Sequence, residues 1–295
     1  MKNTVFTGSG VALITPFNAD MSVNYDEFER LIEFQLENGT DAIFAAVTTS
    51  EASTLTHEEH VKVMQRAVEI VHGRVPVVGG TGSNDTAYAI ELTQEAEKLG
   101  VDATLQVTPY YNKASQAGLI AHFTQIANST KLPVILYSVP GRTNINILPE
   151  TCKALSKVEN IVAIKEASEN ISQVSKIAAL CGDDLAIYSG CDDLNFPIMA
   201  LGGKGVISVL ANVVPKIAHD IPTLCLNGDY EAARKLQLEW LDLCNGLFID
   251  VNPVPAKTAL NMMGYAAGPC RMPLVDMSEE GKAKLQAILQ NHGLV

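Results

Sequence analysis

Lys165 has the most specific chemistry open to it of any residue in this sequence. It follows the apolar run Ile161-Val162-Ala163-Ile164. In an extended chain successive side chains alternate, so Lys165 shares a face with Ile161 and Ala163. An amine on an apolar face loses hydration, its pKa falls, and its neutral form can attack a ketone to give an imine. A lone strand-end lysine more often snorkels to solvent, but this one has company. Small Ala163 leaves space beneath it, and Tyr137 closes the preceding apolar run. Hydroxyl groups stand at the ends of several such runs, in Thr48-Thr49-Ser50, Thr81-Gly82-Ser83, Thr108-Pro109-Tyr110-Tyr111 and Ser189-Gly190. Arg142, in Val139-Pro140-Gly141-Arg142, offers a fork that can grip a carboxylate; pairing with a surface glutamate is the competing reading. Parity puts Glu166 opposite Lys165, so Glu51 and Glu166 do not read as a catalytic carboxylate pair.

Positioning these groups requires a repeating architecture. Strand candidates begin near Val11, Ala42, Val75, Ala103, Val134, Ile161, Leu185 and Val206, in steps of 31, 33, 28, 31, 27, 24 and 21 residues. Each step fits a strand, a helix and two loops. The runs are almost continuously apolar, as expected of parallel strands covered on both faces. Helix signals lie between them. Asn24 caps a stretch that stops at Gly39. Thr56 and Glu59 form a capping box before a helix that stops at Gly73, and Leu92, Ala96 and Leu99 lead to Gly100. The reading is an α/β protein: a (β/α)8 TIM barrel over residues 1–213, with a helical extension over 214–295 packed on it. Helices are expected at 224–226, 230–248, 256–263 and 279–290. In such a barrel the strand ends named above form one rim.

Composition narrows the function. Hydrophobic residues make up 47% of the 295 and charged residues 18%, which excludes a disordered or fibrous chain. Acidic residues outnumber basic ones by 33 to 21, a net charge of −12 that suits no nucleic-acid partner. No apolar run nears the roughly 18 residues of a membrane span. Met1 to Phe17 carries one charge, Lys2, and lacks a signal-peptide pattern. Cys152, Cys181, Cys191, Cys225, Cys244 and Cys270 form no CxxC pair and are expected as buried thiols in a reducing cytoplasm. Gly79-Gly80-Thr81-Gly82 lacks the Lys-Ser/Thr ending of a phosphate loop. His57 and His60 have a ligating spacing but no evident third ligand, so no metal site is expected.

Several motifs together carry a resemblance. They are Gly8-Ser-Gly-Val-Ala-Leu-Ile-Thr-Pro-Phe17, Thr108-Pro-Tyr-Tyr-Asn112, Leu136-Tyr-Ser-Val-Pro-Gly-Arg-Thr143, Ile164-Lys-Glu-Ala167 and Gly205-Val-Ile-Ser208. The chain resembles, from Gly8 to its end, the pyruvate-dependent class I aldolases and lyases. Arg142-Thr143 points to the dihydrodipicolinate synthase branch over the N-acetylneuraminate lyase branch. The resemblance implies a Schiff base between Lys165 and pyruvate, with Tyr137 as general acid and base. It implies a relay from Tyr137 through Thr48 to Tyr111, the last contributed across a dimer interface. Amides near Thr48 and Thr49 would hold the pyruvate carboxylate, Gly190 and Ile207 would line its site, and Arg142 would receive the carboxylate of L-aspartate 4-semialdehyde. No cofactor is implied. A homotetramer, a dimer of dimers, is, as is a place in lysine and diaminopimelate biosynthesis. Another aldehyde acceptor and a catalytically silent homologue are the alternatives.

Three departures accompany the resemblance. Val47 and Ser50 stand where the family usually has glycine, so a left-handed backbone there would be strained. Asn144 also replaces a glycine but accepts that conformation. In relatives inhibited by lysine, the allosteric pocket uses a histidine, an asparagine, a tyrosine and a glutamate. His57 or His60, Asn84 and Tyr110 match the first three, while Tyr88 occupies the glutamate position and Ala52 that of a serine. Lysine's ammonium would lack its carboxylate, and weak feedback inhibition is expected.

Overall fold

The computed structural model describes Lys2 and residues 4–295; Met1 and Asn3, which belong to the stretch read for a leader, lie outside the described residues. Eight parallel strands close into a barrel in sequence order. They are β1 (Gly8–Ala12), β2 (Ala42–Ala45), β3 (Val77–Gly80), β4 (Ala103–Val107), β5 (Val134–Ser138), β6 (Ile161–Glu166), β7 (Ala186–Ser189) and β8 (Gly205–Ser208). β8 pairs with β1, so no edge is left open. The (β/α)8 barrel expected from the spacing is present. β1 begins three residues before Val11 because Gly8 and Gly10 carry no apolar signal, although Gly10 adjoins Phe6 and Phe44 inside the barrel.

The helices form where the capping chemistry put them. Asn24 accepts from the Glu27 amide ahead of helix Tyr25–Glu37. Thr56 and Glu59 satisfy each other's amides ahead of helix His57–Val71. Gly39, Gly73 and Gly100 all take positive φ behind their helices. Helix Pro215–Leu226 lies against β1 and β8. It therefore takes the outer position of the eighth βα unit, not a place in the extension where the 213/214 boundary set it. The helix expected over 230–248 is interrupted: Tyr230–Glu239 ends at Trp240, whose ring stacks on His292 at 4.1 Å, and Leu241–Gly246 follows. Val254–Met262 and Glu279–Asn291 complete the extension. Among the described residues, no helix is long and apolar enough to cross a membrane. All six cysteines are free; four are buried as expected, whereas Cys191 and Cys270 are half-buried.

The barrel interior is packed rather than hollow. Phe6 stacks on Tyr188 at 4.4 Å, and the Tyr188 hydroxyl donates to the Phe6 carbonyl at 2.7 Å. Tyr137, Lys165 and Tyr188 stand side by side across β5, β6 and β7. The floor is thus filled with aromatic rings, and only the carboxyl-terminal mouth can admit a ligand.

Candidate active site at the barrel mouth

Lys165 points into the barrel and is 4% exposed. Its amine lies 4.5 Å from the centre of the Tyr137 ring. Burial lowers its pKa to about 8; Asp192 and Cys191 oppose that shift, and Arg142 adds to it. Gly190 provides the room: a Cβ there would stand 3.0 Å from Lys165 Cε and 2.8 Å from the Ala167 Cβ. Ile207 on β8 packs in the same interior cluster as Tyr137, Ala163 and Tyr188. The neighbour of Lys165 behaves as parity requires. Glu166 faces outward and accepts from Gln173 Nε2 and Ser168 Oγ, each at 2.9 Å.

The Tyr137 phenol is pushed up to about 12, chiefly by burial, while Arg142 and a hydrogen bond with Thr48 pull it back. It therefore holds its proton throughout the neutral range. Thr48 opens the turn after β2. The amides of Ser50 and Glu51 close that turn on Val47 and Thr48 carbonyls at 3.0 and 3.1 Å. Among the described residues, the Thr48 and Thr49 amides donate to no protein acceptor. Two unpaired donors on a tight turn make a cradle for an anion.

The strain expected at Val47 and Ser50 does not arise. Val47 is extended at φ −102, and the left-handed conformations fall on Ala46 and Glu51, at φ 55 and 56. The Ser50 side chain is instead employed: its Oγ accepts from the Val47 amide at 3.0 Å and donates to the Leu13 carbonyl at 2.6 Å. Asn144 is left-handed at φ 56, ending the short helix Pro140–Thr143 that carries Arg142.

Arg142 has no carboxylate partner among the described residues; it donates to the Asn252 carbonyl at 3.0 Å. The surface pairing is thereby set aside. Asn252 Nδ2 also donates to Thr49 Oγ1 at 3.0 Å. The extension therefore braces both the arginine and the turn, and no sequence signal marked Asn252 for that work. Nor was Lys257 marked. Its amine pairs with Glu51 at 2.9 Å with both side chains almost wholly buried, and it donates to the Thr15 and Pro269 carbonyls. The positional clue was Glu51 itself, a carboxylate at the end of an apolar run that needs a cation if buried.

A cavity of about 470 Å³ begins at Tyr137 and Thr48, passes Arg142, and reaches Tyr110 and Tyr88. Lys165 does not line it; its amine lies over the Tyr137 ring. Tyr111 is 92% exposed with φ 74, well away from a buried environment. The residues read as allosteric divide. His60, Tyr88 and Tyr110 line the cavity, and Asn84 Nδ2 donates to the Tyr110 carbonyl at 3.2 Å. His60 is buried with Nε2 on the Gly80 carbonyl at 2.6 Å, and burial lowers its pKa. His57 faces Tyr88 and, contrary to the expectation of no further ligand, two glutamates, Glu91 and Glu95.

An eight-stranded α/β barrel with a buried, low-pKa lysine against a protonated tyrosine at its mouth defines a class I aldolase-type lyase. The chain belongs to the dihydrodipicolinate synthetase family, whose model matches residues 5–292. It is 55% identical over 284 residues to 4-hydroxy-tetrahydrodipicolinate synthase of Lachnoclostridium phytofermentans, covering 96% of each chain. It is 52% identical to the enzyme of that name from Acetivibrio thermocellus over 295 residues, the whole of both chains. The fold superposes with a TM-score of 0.97 on the chloride-inhibited dihydrodipicolinate synthase of Acinetobacter baumannii, solved with pyruvate. That chain is 39% identical, and the match covers 99% of this chain and 100% of that one.

Proposed function

We propose that this chain is a 4-hydroxy-tetrahydrodipicolinate synthase, condensing pyruvate with L-aspartate 4-semialdehyde in lysine and diaminopimelate biosynthesis. One observation carries the reading: Lys165 is buried in the barrel with its pKa near 8. At pH 7 roughly a tenth of such an amine is neutral, against roughly 0.03% of a solvated lysine. The neutral amine attacks the pyruvate ketone, and water leaves to give the imine. Tyr137 supplies the proton to the departing oxygen, then assists loss of one from the methyl carbon to form the enamine. The Thr48 and Thr49 amides hold the pyruvate carboxylate, and Gly190 and Ile207 shape the wall around its carbon atoms.

The enamine carbon then bonds to the aldehyde carbon of the second substrate, whose carboxylate Arg142 receives, and the aldehyde oxygen takes a proton from Tyr137 to become the hydroxyl. That substrate's amine attacks the imine carbon, expels Lys165 and closes the ring. Its proton leaves through Tyr137, Thr48 and Tyr111. The exposure of Tyr111 supports a role toward a neighbouring copy, in a homotetramer built as a dimer of dimers. A cytoplasmic location fits six unpaired thiols. Initial rates with pyruvate and L-aspartate 4-semialdehyde, compared with cleavage of N-acetylneuraminate, test the reading. Turnover confined to the condensation supports it, and a preference for the sugar acid overturns it.

A further inference from the structure

Behind Tyr88, which lines the cavity, lies a cluster that the condensation does not use. His57 opens helix His57–Val71, while Glu91 and Glu95 lie four apart on helix Thr86–Leu99 and so share a face. One ligating atom from each falls within 4.8 Å of the other two. His57 Nε2 stands 3.2 Å from Glu95 Oε2, and its Nδ1 stands 3.3 Å from the Tyr88 hydroxyl. That Glu95 oxygen is shut off from solvent, yet it has no hydrogen-bond partner. The imidazole presents either its Nε2 proton or its Nε2 lone pair to that gap, according to which ring nitrogen is protonated. In the lone-pair form it and the carboxylate can share a cation. A proton would serve two of the three groups, whereas a divalent ion serves all three.

We propose that His57, Glu91 and Glu95 bind a zinc-class divalent cation that staples the two helices together, with Tyr88 orienting the imidazole. The donor set of one imidazole and two carboxylates suits zinc over magnesium or calcium, which prefer all-oxygen shells. Zinc holds such atoms at about 2.0–2.2 Å, so ligands stand roughly 3.3 Å apart around it. The His57–Glu95 pair already has that spacing, and Glu91 on the exposed side can swing in to complete it with water at the fourth position. The phenol supplies the outer contact that ligating histidines usually have on their second nitrogen.

Calorimetric titration of the chelator-treated full-length protein with zinc chloride tests this, alongside thermal unfolding with and without the metal. We expect one zinc per chain at micromolar concentration and a higher Tm with zinc than with the same amount of magnesium. Glu91→Gln and Glu95→Gln should weaken binding at least about tenfold and abolish the Tm shift. Their metal-free turnover should remain unchanged, which shows the variants are folded. His57→Asn should weaken zinc to the same degree. No saturable binding below millimolar zinc would overturn the proposal. So would binding that survives the glutamate substitutions, the half-buried cysteines being the alternative ligands.

Discussion

In the proposed mechanism Lys165 and Arg142 divide the chemistry at the level of single residues, and each yields a measurable sign. Burial lowers the lysine pKa to about 8, so below that pH the amine is protonated and cannot attack. The rate of imine formation should rise about tenfold per pH unit up to roughly 8 and then level off. Tyr137, near 12, contributes no break in that window. A profile flat from about pH 6 to 9 would place the nucleophile elsewhere. Arg142→Ala removes a charge-assisted contact of about 1.5–3 kcal/mol. It should raise KM for aspartate semialdehyde roughly ten- to a hundredfold while changing KM for pyruvate little. Equal changes would make Arg142 a brace for Asn252 alone. Lys165 was legible in the sequence because strand parity fixes the face it takes, and Tyr137 and Thr48 because they stand at the ends of apolar runs. Asn252 and Lys257 were not, because they come from the extension, and nothing in a linear pattern says which barrel turn an added helix will touch.

Individual elements followed local signals closely wherever capping chemistry or apolar runs marked them. Thr56 with Glu59 and Asn24 with the Glu27 amide set helix starts that the sequence already displayed. Trp240 was harder to read, since nothing local marks a break until its ring is known to stack on His292. Helix Pro215–Leu226 was likewise misplaced because its apolar face resembles that of the helices after it, and only packing assigns it to the barrel. One attachment of the extension is the buried pair between Lys257 and Glu51. Removing one partner from such a pair typically costs about 3–5 kcal/mol, while removing both costs less. Lys257→Met should therefore lower stability by about that amount in urea unfolding, leaving Glu51 with the Arg271 amide as its remaining donor. The double variant Glu51→Gln with Lys257→Met should be less impaired than the single one. A single variant within about 1 kcal/mol of the parent would show the pair to be dispensable.

For the whole molecule, the barrel, the mouth and the outer cavity wall form one continuous surface from Tyr137 to Tyr88. A lysine bound near Tyr88 would present its ammonium to a phenol and, at residue 52, to a methyl group. Asp85 does not replace the missing acid, since its carboxylate caps helix Thr86–Leu99 by accepting from the Ala87 amide at 3.0 Å. Feedback inhibition by L-lysine should accordingly be weak, with initial rates at fixed pyruvate nearly unchanged by millimolar lysine. Inhibition at submillimolar lysine would mean that another carboxylate receives the ammonium. The barrel could be read from spacing alone because eight similar units repeat. The proposed use of Tyr111 by a neighbouring copy could not, since assembly is set by surfaces that no periodicity encodes.

The imine on Lys165 is the claim on which the rest depends. Sodium borohydride added with pyruvate, followed by intact-mass and peptide analysis, tests it directly. One reduced pyruvyl group per chain, on the peptide containing Lys165 and absent from Lys165→Met, is the expected result. A modified peptide lacking Lys165, or no added mass at all, would contradict it.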